Sequence, residues 1–423
     1  MVDAPRRVES VSGLVFLFGS MYFVQGIAEP TSGLIAQPVR SLLKNWEYSP
    51  TEIAAFSAVV SLPWSFKPIY GLLTDFVPLF GTRRRSYLLG ATGMSALSLL
   101  VLYLVPLPPG SYGLVLALLV LPTVGVAFAD VVVDALMVQW GQPRGMTGTL
   151  QSAQWTAMYA GSVLAGLAGG YLSEHGREPV GFLICAVALS GATLLTWSRV
   201  REERATKRPA RFRVAVRELI RAARSPLVLV AAAFLFLWSF NPFGMSVAYL
   251  YLTQELGIGE QFYGFTLSLL SAGAIVGSLS YGAYCRRVSL RALVHLAIVA
   301  GVLCTLSYAF VTGPISAAVV SAVAGFTYIT GTMVQLDLAA RVCPIRSAGT
   351  TFALLMAVSN LSLSLAGALG GWFYDDWTQR WSAPTAFKAL VVTGAVFTSG
   401  CWILAPMIFR TVDSAEVRPS EGG

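Results

Sequence analysis

Ionisable side chains inside long apolar stretches set out the chemistry open to this chain. Asp130 and Asp134, in FADVVVDALMVQW, are four residues apart and share one face of a helix. Two carboxylates that close in a low dielectric do not both ionise cheaply, so one is expected to hold a proton near neutral pH. The other reading of the pair is a salt bridge with Lys67, Arg144 or another arginine, tying or gating neighbouring helices. Lys67 lies in LPWSFKPIYG between Trp64 and Pro68, where an ammonium attracts an anion or pairs with a carboxylate. Glu29 stands beside Pro30 in GIAEPTSG, flanked by Gly26 and Gly33. Proline removes a rung of the helix ladder and the glycines loosen it, so a kink is expected there. Glu29 is then a candidate for proton uptake or cation recognition; the alternative is an early helix end with Glu29 at its outer boundary. Asp337 and Arg341 are again spaced i,i+4 and can pair along one helix.

Polar and aromatic residues in the same stretches add hydrogen-bonding and stacking surface: Tyr22, Gln25, Gln154, Trp155, Tyr159, Trp238, Asn241, Tyr328, Gln335 and Asn360. As a group they suit a cavity for a ring-shaped solute, while each alone has an ordinary packing or interfacial role. Soluble-enzyme chemistry has no counterpart here. The sequence contains no Walker loop, no HExxH, no strand-associated GxGxxG and no GxSxG, so neither an enzyme nor an ATP-driven pump is expected. Two histidines and five scattered cysteines (Cys185, Cys285, Cys304, Cys343, Cys401) offer no metal-ligand spacing, and no cofactor is expected.

Apolar helices must position these residues. The chain is 55% hydrophobic and 12% charged, about half the charge of a soluble protein. Leu88 to Pro106, Tyr112 to Ala129 and Pro226 to Thr253 carry no charged side chain, and each is close to the ~20 residues that cross a bilayer as a helix. Twelve spans are expected, near 12–40, 50–75, 86–106, 112–138, 149–172, 180–198, 226–252, 261–284, 290–312, 315–339, 347–373 and 385–409. Residues 199–225 are hydrophilic and separate a six-helix bundle at 1–198 from a second at 226–423. From about Arg211 this linker reads either as an amphipathic helix on a membrane surface or as a solvated basic stretch.

The net charge of +8 falls in the short gaps between spans without interleaved aromatics, which argues against nucleic acid. Arg83, Arg84, Arg85, Arg144, Arg341, Arg346 and the linker all fall on the side of the termini, so both termini are expected in the cytoplasm of a multi-pass inner or plasma membrane protein. The halves also repeat. DALMVQWGQPRGMTGT from Asp134 matches DLAARVCPIRSAGTT from Asp337, setting Arg144 against Arg346, and GLAGG from Gly166 matches GALGG from Gly367. Two parallel six-span repeats form the layout of major facilitator transporters, and the small-residue pairs suit close helix packing.

The loop GLLTDFVPLFGTRRRS, from Gly71, resembles the facilitator signature in which a carboxylate (Asp75) ends one helix and arginines (Arg83 to Arg85) start the next. With YFVQG from Tyr22, SLPWSFKPIYGLLTDFVPLFGTRRRSYL from Ser61, ADVVVDALMV from Ala129, LAARVCP from Leu338 and TTFALLMAVSN, the chain resembles the folate–biopterin transporter family of the major facilitator superfamily. The resemblance implies an all-α membrane protein with twelve transmembrane helices, arranged as two six-helix pseudo-repeats around a central cavity. It also implies secondary transport of a folate- or pterin-like solute. In that setting Lys67 would attract the anion, while Glu29, Asp130 and Asp134 would take protons or form gates. The partners expected are a small-molecule substrate, the lipid bilayer and protons as coupling ion, with the chain acting as a monomer. The same fold carrying another metabolite or drug, or a non-transporting membrane assembly factor, is the alternative.

Overall fold

The computed structural model describes residues 10–141, 144, 146–202, 209–284, 287–342 and 348–416. Among these residues the α-helices are, in order, α1 (Val11–Ala28), α2 (Ala36–Asn45), α3 (Pro50–Ser61), α4 (Lys67–Phe76), α5 (Arg85–Leu104), α6 (Tyr112–Gly141), α7 (Thr147–Glu174) and α8 (Glu178–Arg199). They continue with α9 (Pro209–Ala223), α10 (Pro226–Ser239), α11 (Met245–Leu250), α12 (Glu260–Tyr284), α13 (Leu290–Ser307), α14 (Pro314–Val342), α15 (Ala348–Arg380) and α16 (Ala383–Glu416). Nine helices among the described residues, α1, α5, α6, α8 and α12 to α16, are long and apolar enough to cross a membrane.

The other three expected spans are present, and their departures have physical causes. The second runs α3–α4 but tightens into a 3-10 turn at Leu62–Phe66, where Pro63 and Pro68 lack the N–H an unbroken α-ladder needs. The seventh breaks between Phe240 and Gly244, then resumes as α11 and a π turn at Tyr251–Glu255. The fifth, α7, is continuous but holds Gln151, Gln154 and many small residues, which lower its hydropathy. The first span breaks as its Glu-Pro sequence suggested: α1 stops at Ala28 and the chain turns before α2. Gly33 makes that turn possible, because a Cβ there would lie 2.4 Å from the Ile27 carbonyl oxygen.

Apolar side chains such as Ile315 (82% exposed) and Ile403 (76%) cover the outside, a surface that water does not favour and lipid does. Inside, the core is joined at one end and divided at the other. At the end that carries Glu260, one cluster mixes residues of the first six spans (Ile35, Val39, Leu43, Ile53, Phe182) with those of the last six (Phe243, Tyr249, Leu250, Phe387). At the end rich in arginine, Leu14, Phe18, Leu88, Val132 and Leu136 form one cluster and Val228, Val294, Leu338 and Ile408 another.

Glycines bring the two sets together. A Cβ on Gly264 of α12 would sit 2.3 Å from the Gly166 carbonyl oxygen and 2.6 Å from Gly170 Cα of α7. On the opposite side a Cβ on Gly371 of α15 would sit 2.0 Å from Ala54 Cβ of α3, whereas Gly367 faces open space. The GLAGG and GALGG stretches therefore do the close packing that small residues permit between membrane helices.

Candidate functional site

Broken helices place the charged groups. The turn after α1 fixes Glu29, the 3-10 turn fixes Trp64, and Lys67 opens α4 directly after it. Gly26 lets α1 press against α7, since a Cβ there would lie 2.1 Å from the Met158 carbonyl oxygen. That contact brings Tyr22 and Gln25 of α1 toward α6, whose i,i+4 carboxylates Asp130 and Asp134 face inward.

The resulting cluster is compact. Lys67 Nζ lies 2.7 Å from Asp130 Oδ2, and Gln25 Nε2 donates to Asp130 Oδ1 at 3.0 Å. Tyr22 donates its hydroxyl to Asp134, and Gln154 Nε2 donates to the same carboxylate at 3.3 Å. One ammonium thus serves two carboxylates: Asp130 has the cation, and the hydrogen bonds described at Asp134 come from neutral groups. Lys67 Nζ also sits 4.6 Å from the centre of the Trp64 ring, a cation–π contact. Trp64 donates its indole N–H to Glu29 Oε1 at 3.2 Å, and the Trp64 carbonyl accepts from Asn360 Nδ2 of α15 at 3.1 Å. Glu29 is 6% exposed. Its carboxylate accepts the N–H and hydroxyl of both Thr31 and Ser32.

The other expected residues are distributed more widely. Trp155 and Tyr159 stack on α7 with ring centres 5.9 Å apart, and Tyr159 packs with Ala274 and Ile329 of the last six spans. Tyr328 of α14 is 58% exposed. Trp238 wedges between helices, 2.5 Å from where a Cβ on Gly331 would stand, and stacks on Phe234. Asn241 sits in the α10–α11 break with its Oδ1 buried and unbonded. Asp337 lies half-buried on α14. The side chain of Arg341 and the whole of Arg346 lie outside the described residues. Trp64 was legible only as a neighbour of Lys67; its position three residues before that lysine is the signal that singles it out.

At the arginine-rich end Arg84 pairs with Asp75 at 3.1 Å, as the signature loop suggested, and Arg144 bonds the Trp140 carbonyl at 2.6 Å. A residue the sequence did not single out holds the loop. Glu202 Oε2 accepts the backbone N–H of Arg83, Arg84 and Arg85 at 3.1, 2.8 and 3.1 Å. A carboxylate on the amides that lead into α5 and on its first one satisfies open donors and complements the helix dipole. Glu202→Ala is expected to lower thermal stability in detergent by about 1–2 kcal/mol, and an unchanged unfolding midpoint would contradict this role.

Comparison with known proteins agrees with this architecture. Residues 25–419 match the model of the BT1 family. The folate-biopterin transporter of Synechocystis sp. is 30% identical over 369 residues, covering 83% of this chain and 72% of that protein. Among solved structures, the nucleoside transporter NupG superposes with a TM-score of 0.70 at 12% identity, over 92% of this chain and 98% of that one. A D-xylose-proton symporter does so with 0.66 at 15%, over 91% and 96%. These last two likenesses show the fold, which is that of the major facilitator transporters. A chain matched over nearly its whole length by one family model, with that fold and a charged cluster buried among its helices, belongs to the BT1 family and is a multi-pass membrane transporter.

Proposed function

We propose that this transporter carries a folate- or pterin-like solute, aromatic or anionic, across an inner or plasma membrane by alternating access, as a monomer driven by protons. The observation that carries the reading is Lys67 lying between the Trp64 ring and Asp130. An aromatic face beside an ammonium recognises a flat ring that bears negative charge, and the Synechocystis relative is named for such solutes. An anion arriving at Lys67 competes with Asp130 for its single cation, and a proton on one of the two carboxylates compensates for that displacement. Asp134, met by Tyr22 and Gln154, is the second carboxylate of this exchange.

In this reading residues 1–198 and 226–423 are two six-helix bundles that rock about the cluster, and 199–225 links them. The arginines of the Asp75 loop and of the linker support a cytoplasmic location for that end and for both termini. The joined core at the Glu260 end and the divided core at the other then correspond to a state open toward the cytoplasm. Solved neighbours of the fold are named for a nucleoside and for D-xylose, so other solutes are the competing reading. A thermal-shift screen of the purified protein separates them: folate or biopterin raises the unfolding midpoint and nucleosides and xylose do not. A shift from a nucleoside or sugar alone would overturn the substrate assignment.

A further inference from the structure

The Glu260 end holds a second group of charges, one buried and two half-buried. Gln37, Arg40 and Lys44 lie at i, i+3 and i+7 on α2 and share one face. That face meets Glu260, the first residue of α12. Gln37 Nε2 donates to the Glu260 main-chain oxygen at 2.7 Å and to its Oε2 at 2.9 Å. Lys44 bonds Oε1, and Tyr249 donates its hydroxyl to the same oxygen at 2.6 Å. The lone pairs of Glu260 are thus taken by Lys44, Gln37 and Tyr249. Arg40 is left over: it is 4% exposed, its Nε and Nη2 have no hydrogen-bond partner, and its Cζ lies 5.8 Å from the centre of the Tyr249 ring. The Oε1 of Gln37 is unbonded as well.

A buried guanidinium with two of its nitrogens unbonded is costly, and a chain that keeps one has a use for an anion beside it. The charge balance sharpens the point. Glu260 belongs to α12, whereas Arg40 and Lys44 belong to α2. When the two sets of spans part at this end, Glu260 leaves with its own set. The α2 face then keeps two cations and one amide. Glu178 of α8, a buried carboxylate that feels the charge of Glu260 and stays on the same side, offsets one of the two charges.

We infer that Gln37, Arg40 and Lys44 form a carboxylate-binding site at the Glu260 face of the transporter, occupied in the closed state by the side chain of Glu260. In the open state an organic carboxylate takes the place of Glu260, with Arg40 supplying the bidentate donor that is idle when the face is closed. Closing and carboxylate binding at this face exclude one another, so a bound anion leaves the site as Glu260 returns.

Chemical rescue tests this without reference to the cargo. Glu260→Ala is expected to unfold at a lower temperature than wild type, and sodium propionate, against sodium chloride at equal ionic strength, is expected to raise that midpoint by roughly 2 °C. Wild type and the double variant Glu260→Ala/Arg40→Gln should not respond. Propionate acting equally on all three proteins, or on none, would overturn the site. A second arm rests on the pteridine reading and uses a protein that keeps Glu260. In Arg40→Gln the KM for folate presented at the Glu260 face rises roughly tenfold, while that for biopterin, which has no carboxylate, stays put. An equal change for both solutes means a structural role only and overturns the proposal. Wild type that transports neither solute defeats the cargo reading and leaves the rescue arm to decide.

Discussion

Lys67→Met is expected to abolish transport while the protein still assembles in the membrane. The substitution keeps the length of the side chain and removes its charge. Asp130 then loses its ammonium and retains only Gln25. Breaking a buried ion pair from one side costs about 3–5 kcal/mol, because the remaining charge has no counterpart. A loss of stability alone would also stop transport, so the double variant Lys67→Met/Asp130→Asn separates the two effects. With both charges gone the penalty disappears, and the unfolding midpoint is expected to return toward wild type. Uptake is expected to stay absent, because the cation that meets the anion is missing. Recovery of uptake in the double variant would show that the pair only holds helices together, the gate-type role its sequence also allowed.

The second large effect is steric. Gly264→Ala places a Cβ 2.3 Å from the Gly166 carbonyl oxygen, and backbone atoms on both sides leave it nowhere to go. Overpacking of this kind costs about 1–3 kcal/mol. Here the strain falls between α7 and α12, which belong to different sets of spans, so it is relieved by parting them. The variant is expected to fold, to lose at least most of its uptake, and to disfavour the state in which Lys44 and Gln37 reach Glu260. Gly26→Ala makes the contrast. Its Cβ would lie 2.1 Å from the Met158 carbonyl oxygen, between α1 and α7 within the first set. No rocking motion relieves that clash, so little folded protein is expected on extraction. Equal yields and equal uptake for the two variants would contradict this division of the glycine contacts.

Much of the architecture was legible because membrane physics simplifies sequence. Charges are rare in the spans, so Lys67, Asp130 and Asp134 stood out, and the structure brings them together with Tyr22, Gln25 and Gln154. The break at Glu29-Pro30 could be read from its residues. The tightening at Leu62–Phe66 was harder to read, although Pro63 and Pro68 lie in and beside it, because proline is tolerated within membrane helices. The break at Asn241–Gly244 carried a similar signal, an Asn-Pro pair and a glycine inside an otherwise apolar span.

Arg40, Lys44 and Glu260 sit near span ends, where charge ordinarily reads as interface, and the burial of Arg40 and the Lys44–Glu260 pair emerge only when α2 and α12 meet. Glu202 lies in the linker, where a few acids among many bases carry no signal until one reaches the amides of Arg83 to Arg85. Trp238 looked like cavity lining, and the glycines Gly301 and Gly331 that receive it lie far along the chain.

The most direct test of the account is uptake of labelled folate and biopterin by proteoliposomes holding the wild type or Lys67→Met, with and without an imposed proton gradient. Wild type is expected to accumulate at least one of the two solutes, at a higher rate with the gradient, and Lys67→Met neither. Wild-type vesicles that take up neither solute under either condition, or Lys67→Met vesicles that match wild type, would contradict it.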